Sequence, residues 1–156
     1  MIMIEFPNPL EIVLTREFAA PIELVFDVLT KPEHIRETFA PFGETVTVCT
    51  ADLRVGGGYH YVFVTPDGTE CSFRGTFLEI ERPARTTQTW TFAGWPDVEV
   101  IESNELREAN GMTTVAWRMR FHDQAGRDHM TKYDGLEANF DNVERYLKTL
   151  LRALNR

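Results

Sequence analysis

The side chains best suited to chemistry in this chain are few and scattered. His34, His60, His122 and His129 carry the imidazoles, the groups whose ordinary titration lies nearest neutrality. No two of them stand four apart or form a His-x-His pair, so a metal centre would have to be assembled by the fold from distant segments. Such a scattering reads as surface or hydrogen-bonded residues. His122 and His129 flank the segment before the last helix, where either could act as acid or base if it faced a cavity. Tyr133 and Glu137, at the start of that helix, could add polar contacts. Asp52 and Arg54 put a carboxylate and a guanidinium on one side of an extended segment, as a salt-bridged structural pair or, alternatively, a polar clamp at a cavity mouth. Gly56-Gly57-Gly58 follow them without a Lys-Ser or Lys-Thr, which argues against a phosphate loop. Cys49 and Cys71 have no metal or redox spacing. No serine-nucleophile motif or paired-carboxylate signature stands out, so no catalytic residue, metal or cofactor is assigned.

The larger signal is aromatic. Rings make up 12% of the residues, with eleven Phe and three Trp, which suits a thick core or the walls of a cavity. Val115, Trp117, Met119 and Phe121 alternate with polar residues and share a face. Tyr59, Tyr61 and Phe63 do the same, as do Cys71, Phe73 and Phe77, and Trp90 with Phe92. Stripes of this kind pack as solid core by default; facing a helix across a gap, they would wall a chamber. Trp95 and Phe42, placed in loops, could gate its mouth.

The elements that must position these residues follow from periodicity. Leu136, Phe140, Val143, Leu147, Leu150, Leu151 and Leu154 recur at three and four, one stripe of a helix running from Leu136 to Asn155 over roughly 30 Å. Its other face places Asp141 four before Arg145 and Glu144 four before Lys148, the favourable order for ion pairs along a helix. Upstream, Leu10–Phe18 alternates as a half-buried strand. Pro21 and Pro32 open two short helices carrying Ile22, Val25, Phe26 and Leu29, then Ile35. Six strands follow: Thr45–Thr50, Tyr59–Thr65, Glu70–Glu81, Arg85–Phe92, Val98–Leu106 and Met112–Phe121. Short loops such as Pro66-Asp67-Gly68 and Asn110-Gly111 join them into an antiparallel meander. Gly126 marks the exit, Asp128 is placed to cap the final helix, and Gly135 is a tolerated weak point within it. The class is α+β: one curved antiparallel sheet of about seven strands with its helices on one side, a single domain over 1–156 with its core at about 10–155.

Composition narrows the partners. A net charge of −8 argues against nucleic acid and an anionic membrane surface. No apolar run approaches the roughly 18 residues that span a bilayer, and Met1–Phe6 is too short and lacks the positive start of a secretory signal. A reducing cytoplasm with both thiols free is the expected setting.

The stretch Arg16-Glu17-Phe18, Ala20-Pro21, Val25-Phe26 and Thr30-Lys31-Pro32-Glu33 resembles the opening of the START-like superfamily, the SRPBCC group. Within it the chain is similar to the proteins named after the activator of the heat-shock-protein ATPase. Asp52-Leu53-Arg54-Val55-Gly56-Gly57 resembles that family's central motif. Asp67-Gly68, Gly75-Thr76-Phe77-Leu78-Glu79-Ile80, Pro83 and the leucine-rich last helix follow in the family's order. One departure is Thr38-Phe39 where the family often carries a Trp-aromatic pair. The resemblance implies a helix-grip fold, with a bent sheet curled around the terminal helix and a cavity between them. The side chains expected to line that cavity are Phe26 and Phe39 from the short helices, then Tyr61, Phe63, Phe73 and Phe77, Trp90 and Phe92, and Trp117, Met119 and Phe121 from the strands. Tyr133 and Phe140 complete the set from the last helix.

Three functions are compatible with this reading. The leading one is a binding protein enclosing a small apolar or aromatic molecule of unknown identity. A cyclase- or hydrolase-type enzyme on the same scaffold, using His122, His129 or Tyr133, is the alternative. A chaperone partner is suggested by the family's name alone, and the chain lacks the second module expected of the eukaryotic activator. A homodimer through a sheet edge or the small helices is left open.

Overall fold

The computed structural model describes residues 2–40, 42–132 and 135–155. In chain order the elements are β1 (Ile2–Glu5), β2 (Glu11–Phe18), α1 (Ile22–Thr30), α2 (Pro32–Thr38), β3 (Thr45–Ala51), β4 (Gly58–Val64), β5 (Glu70–Glu81), β6 (Arg85–Phe92), β7 (Glu99–Ala109), β8 (Met112–Phe121), α3 (Gln124–Met130) and α4 (Gly135–Leu154). The strands form one antiparallel sheet in the order β1-β2-β8-β7-β6-β5-β4-β3. The meander β3 to β8 is the one expected, and β2 closes it by pairing with β8, Leu14 opposite Trp117. An eighth strand, β1, adds to the outer edge of β2, Ile4 opposite Leu14. Its four residues are too few for alternation to register in the sequence.

Register shifts between Val46 and Val48 in β3 and between Phe77 and Glu79 in β5 bend the sheet, because an unpaired extra residue increases local twist. The motif Asp52–Gly58 tightens this bend. Gly56 N–H donates to the Phe77 carbonyl and Phe77 N–H to the Gly57 carbonyl, and a Cβ on Gly57 would lie 2.1 Å from the Asp52 carbonyl oxygen. The loop thus needs glycine for a close backbone approach.

Helix α1 starts behind Pro21, which is its cap residue and not its first helical one. Proline has no side-chain acceptor to offer. The carboxylate of Glu108 on β7 takes that role, accepting from Ile22 N–H at 2.8 Å. The segment after β8 departs from expectation. Gly126 sits inside a separate helix, α3, whose cap is Asp123, with its Oδ1 accepting from Gly126 N–H at 2.7 Å. Asp128 lies within α3 and does not cap α4.

The acids of α4 also find other partners than the sequence spacing suggests. Asp141 and Glu144 both accept from Arg16 of β2, at 2.7 and 3.0 Å, and Arg145 donates instead to Asn142 Oδ1. Arg16 is 8% exposed, so its guanidinium is stationary and desolvated, a better target than a solvated cation one turn away.

Buried side chains fall into two clusters. The larger joins β2, β7, β8, α1 and α4 through Leu14, Phe18, Val25, Val100, Val115, Phe140 and Val143; the smaller joins Ile35, Cys49, Tyr59, Tyr61 and Phe77 under α2. Tyr59 reaches across its neighbour Gly75 to donate to the Thr89 carbonyl at 2.6 Å. A Cβ at Gly75 would fall 1.9 Å from that same carbonyl and 2.4 Å from the Tyr59 ring. Overpacking of this kind costs about 1–3 kcal/mol. Gly75→Ala should lower the urea midpoint accordingly, whereas Gly58→Ala, where an added methyl meets nothing closer than 3.6 Å, should shift it much less.

Candidate ligand cavity

A cavity of about 320 Å³ opens between the concave face of the sheet and α4, with walls drawn from both buried clusters. Its sheet side follows from strand alternation. Tyr59, Tyr61 and Phe63 come from β4, Cys71, Phe73 and Phe77 from β5, Trp90 and Phe92 from β6, and Trp117 and Met119 from β8. Phe73 is the hub of the ring contacts, with its centroid 4.9 Å from Phe92, 5.5 Å from Trp90 and 5.1 Å from Phe39. Phe39 closes one side from the end of α2, and Phe140 on α4 sits edge-on to Trp117.

Ten of the thirteen side chains expected to line a cavity do line this one. Phe26 does not; it is buried in the larger cluster, and Val28 and Leu29 of α1 reach the wall in its place. Leu29 and Thr30 share the helix face of Phe26 one turn further on, so the wall begins one turn beyond Phe26. Phe121 shares the face of Trp117 and Met119 but lies at the end of β8 beneath α3, where Gly126 packs on it. Tyr133 lies outside the described residues. Trp95 does stand in the wall, edge-on to Phe92 and to His129, while Phe42 is 64% exposed and away from it. Asp52 and Arg54 pair with each other at 2.7 Å on the exposed surface, apart from the wall, as a structural pair.

The histidines have other occupations. His34 meets the Tyr146 hydroxyl at 2.7 Å, His60 meets Ser72 at 2.9 Å, and His122 lies beside Asp123 at the surface. None of these three, nor His129, lines the cavity. Glu137 is exposed; Asn139, two positions on, is the polar residue of α4 that reaches the wall. No group of three or more His, Cys, Asp or Glu among the described residues is placed to hold a metal ion.

What sequence reasoning missed is a polar patch in this aromatic wall. Thr86 and Gln88 of β6 stand opposite Asn104 and Glu102 of β7, and all four line the cavity. Glu102 Oε1 accepts from Gln88 Nε2 at 2.9 Å, and its Oε2 accepts from Trp117 Nε1 at 3.0 Å. Asn104 donates to the Thr86 hydroxyl at 3.4 Å. Gln88 is 7% exposed, and its Oε1 is buried without a hydrogen-bond partner among the described residues. No ion pair among the described residues involves Glu102. Burial pushes its carboxyl above the usual range, against the opposing pull of the two hydrogen bonds it accepts. Burial first, and for Tyr59 the Glu102 carboxylate second, likewise pushes the phenols of Tyr59 and Tyr61 far up, so both stay protonated donors. A signal for the patch exists. Val100, Glu102, Asn104 and Leu106 share one parity on β7, and Thr86, Gln88, Trp90 and Phe92 share one on β6. Each set mixes polar and core residues on a single inward face.

A bent antiparallel sheet grasping a long C-terminal helix over a cavity defines a helix-grip, START-like domain. The sequence profile of the family described as "Activator of Hsp90 ATPase homolog 1-like protein" matches residues 19–148, and the chain belongs to that family, which is built on a ligand-binding scaffold. A search of curated proteins returns no significant match. Among solved structures, a protein of Rhodobacter sphaeroides superposes with a TM-score of 0.87 at 22% identity, covering 98% of this chain and 99% of that one. A protein of Nitrosomonas europaea gives 0.82 at 23% identity, covering 94% and 99%, and CalU16 of Micromonospora echinospora gives 0.62 at 22%, covering 87% and 73%. At these identities the likeness establishes the fold. No helix among the described residues is long and apolar enough to cross a membrane.

The raised carboxyl of Glu102 has a signed consequence. Its folded form holds the proton more tightly than the unfolded chain, whose value is the ordinary 4.5. The stability it contributes is therefore greatest below that value and is lost as pH rises through the raised folded one. The difference in unfolding free energy between wild type and Glu102→Gln should move against the wild type from pH 4 to 7. A pH-independent difference would show that Glu102 titrates as it does in water.

Proposed function

We propose that the protein binds a small apolar or aromatic molecule in the chamber between its sheet and α4. The observation that carries this reading is the chamber itself: about 320 Å³ left open in a wall of interlocked rings, where a protein interior is ordinarily close-packed. An apolar cavity of roughly 150 Å³ accepts benzene, so this one has room for a body of two or three rings. Burial of the guest's apolar surface at about 25 cal/mol per Å² would drive association, with the few polar groups setting its orientation. The histidines considered as proton carriers stand outside the wall, which favours binding over acid–base catalysis by them.

A neutral two-ring probe tests it. N-phenylnaphthylamine should bind one to one and quench tryptophan emission, since Trp90, Trp95 and Trp117 all stand in the wall. Leu136→Trp, which places a larger side chain at the α4 wall, should weaken it by about tenfold, or ~1.4 kcal/mol. Absence of quenching, or equal binding by the variant, would refute the chamber as the site.

A further inference from the structure

The polar patch is unbalanced in a way that specifies a ligand. Each donor nitrogen of the patch already has an acceptor: Gln88 Nε2–H and Trp117 Nε1–H both point at Glu102, and Asn104 donates to Thr86. The buried side-chain atom left without a partner among the described residues is an acceptor. Among the described residues, Gln88 Oε1 is buried in the cavity wall with no partner, and each oxygen of Glu102 takes one hydrogen bond where a carboxylate offers about four acceptor sites in all. A buried acceptor left unmet is a standing penalty, removed by any guest that brings it a proton.

A hydroxyl meets this arrangement in either protonation state of Glu102. With the carboxylate ionised, the hydroxyl donates to it or to Gln88 Oε1. With the carboxyl protonated, the hydroxyl accepts from it and donates onward to Gln88. A carboxylate guest would set its acceptors against Gln88 Oε1 in either state and against Glu102 when that is ionised, in a site where no cation partners Glu102 among the described residues.

We infer that the chamber selects hydroxylated aromatic molecules, seating a phenolic or alcoholic O–H on Gln88 Oε1 and the Glu102 carboxyl, and that it discriminates against aromatic carboxylates. This rests on the binding function proposed above and assigns that site its ligand class.

Three probes with one two-ring body separate the two claims: 2-naphthol, 2-methoxynaphthalene and 2-naphthoate, titrated calorimetrically into the full chain at pH 7. The expected order is naphthol tighter than the methyl ether by about tenfold, and the ether tighter than the carboxylate by a similar factor. In Gln88→Met and in Glu102→Gln the naphthol-to-ether ratio should fall below about threefold. Equal affinity for naphthol and ether in the wild type, or a ratio that survives in both variants, overturns the hydroxyl assignment and leaves the binding function standing. Failure of all three probes to bind overturns the binding function and the assignment with it. The wild-type comparison decides even where a variant fails to fold.

Discussion

Helix α4 is fastened along both flanks, to the end of α2 on one side and to the sheet on the other, and the chamber exists because of that. On one side, Asn139 and Asn142 donate to the carbonyls of Thr38 and Ala40 at the end of α2, acceptors that a helix C-terminus leaves without partners. On the other, Arg16 rises from β2 to hold Asp141 and Glu144. Between these anchors the apolar row Phe140, Val143 and Leu147 is buried. Directional bonds set the height of the helix over the strands, so the interior need not be filled for the helix to stay in place. A helix held by apolar contact alone would settle until the gap closed.

The walls resist collapse for a related reason. Phe39, Phe63, Phe73, Trp90, Phe92 and Trp95 lean on one another in tilted, stacked and edge-on contacts, and a ring has few rotamers with which to fold inward. Gly75 contributes by leaving the space that Tyr59 crosses. The same stiffness isolates the polar patch. Glu102 and Gln88 sit opposite each other in the middle of the sheet, Gln88 buried and Glu102 half-buried, with Glu102 held by Gln88 and Trp117. With Thr86 and Asn104 they gather four polar side chains at one spot of a largely aromatic wall, which would orient a guest as well as hold it.

Much of this was legible in the sequence, and the parts that were not share a physical cause. The stripe from Leu136 to Leu154 and the alternation of Val115 to Phe121 are local periodicities, and they placed α4 and the aromatic faces. Glu102 escaped because a charge on a strand reads as outward until its neighbours Val100 and Leu106 are seen to be core. Gln88 gained meaning only from register, which sets it opposite Glu102. The pairing of Asp141 and Glu144 with Arg16 is a tertiary choice that spacing along one helix cannot express. Phe26 and Phe121 show the complementary error: an aromatic residue on a suitable element was expected in the wall, but its place there depends on one turn of helix or on a covering helix that turn residues concealed.

The claim beneath all of this is an unfilled apolar space under α4, and methyl NMR under xenon pressure probes it most directly, because xenon enters dry cavities and little else. The methyls of Met119, Met130 and Val143, which face the chamber, should shift and saturate, while those of Ile12, Leu14 and Val115 in the packed core stay unmoved. Lining methyls that fail to respond, or respond no more than the core ones, would mean that the interior is closed and that the protein has no room for a guest.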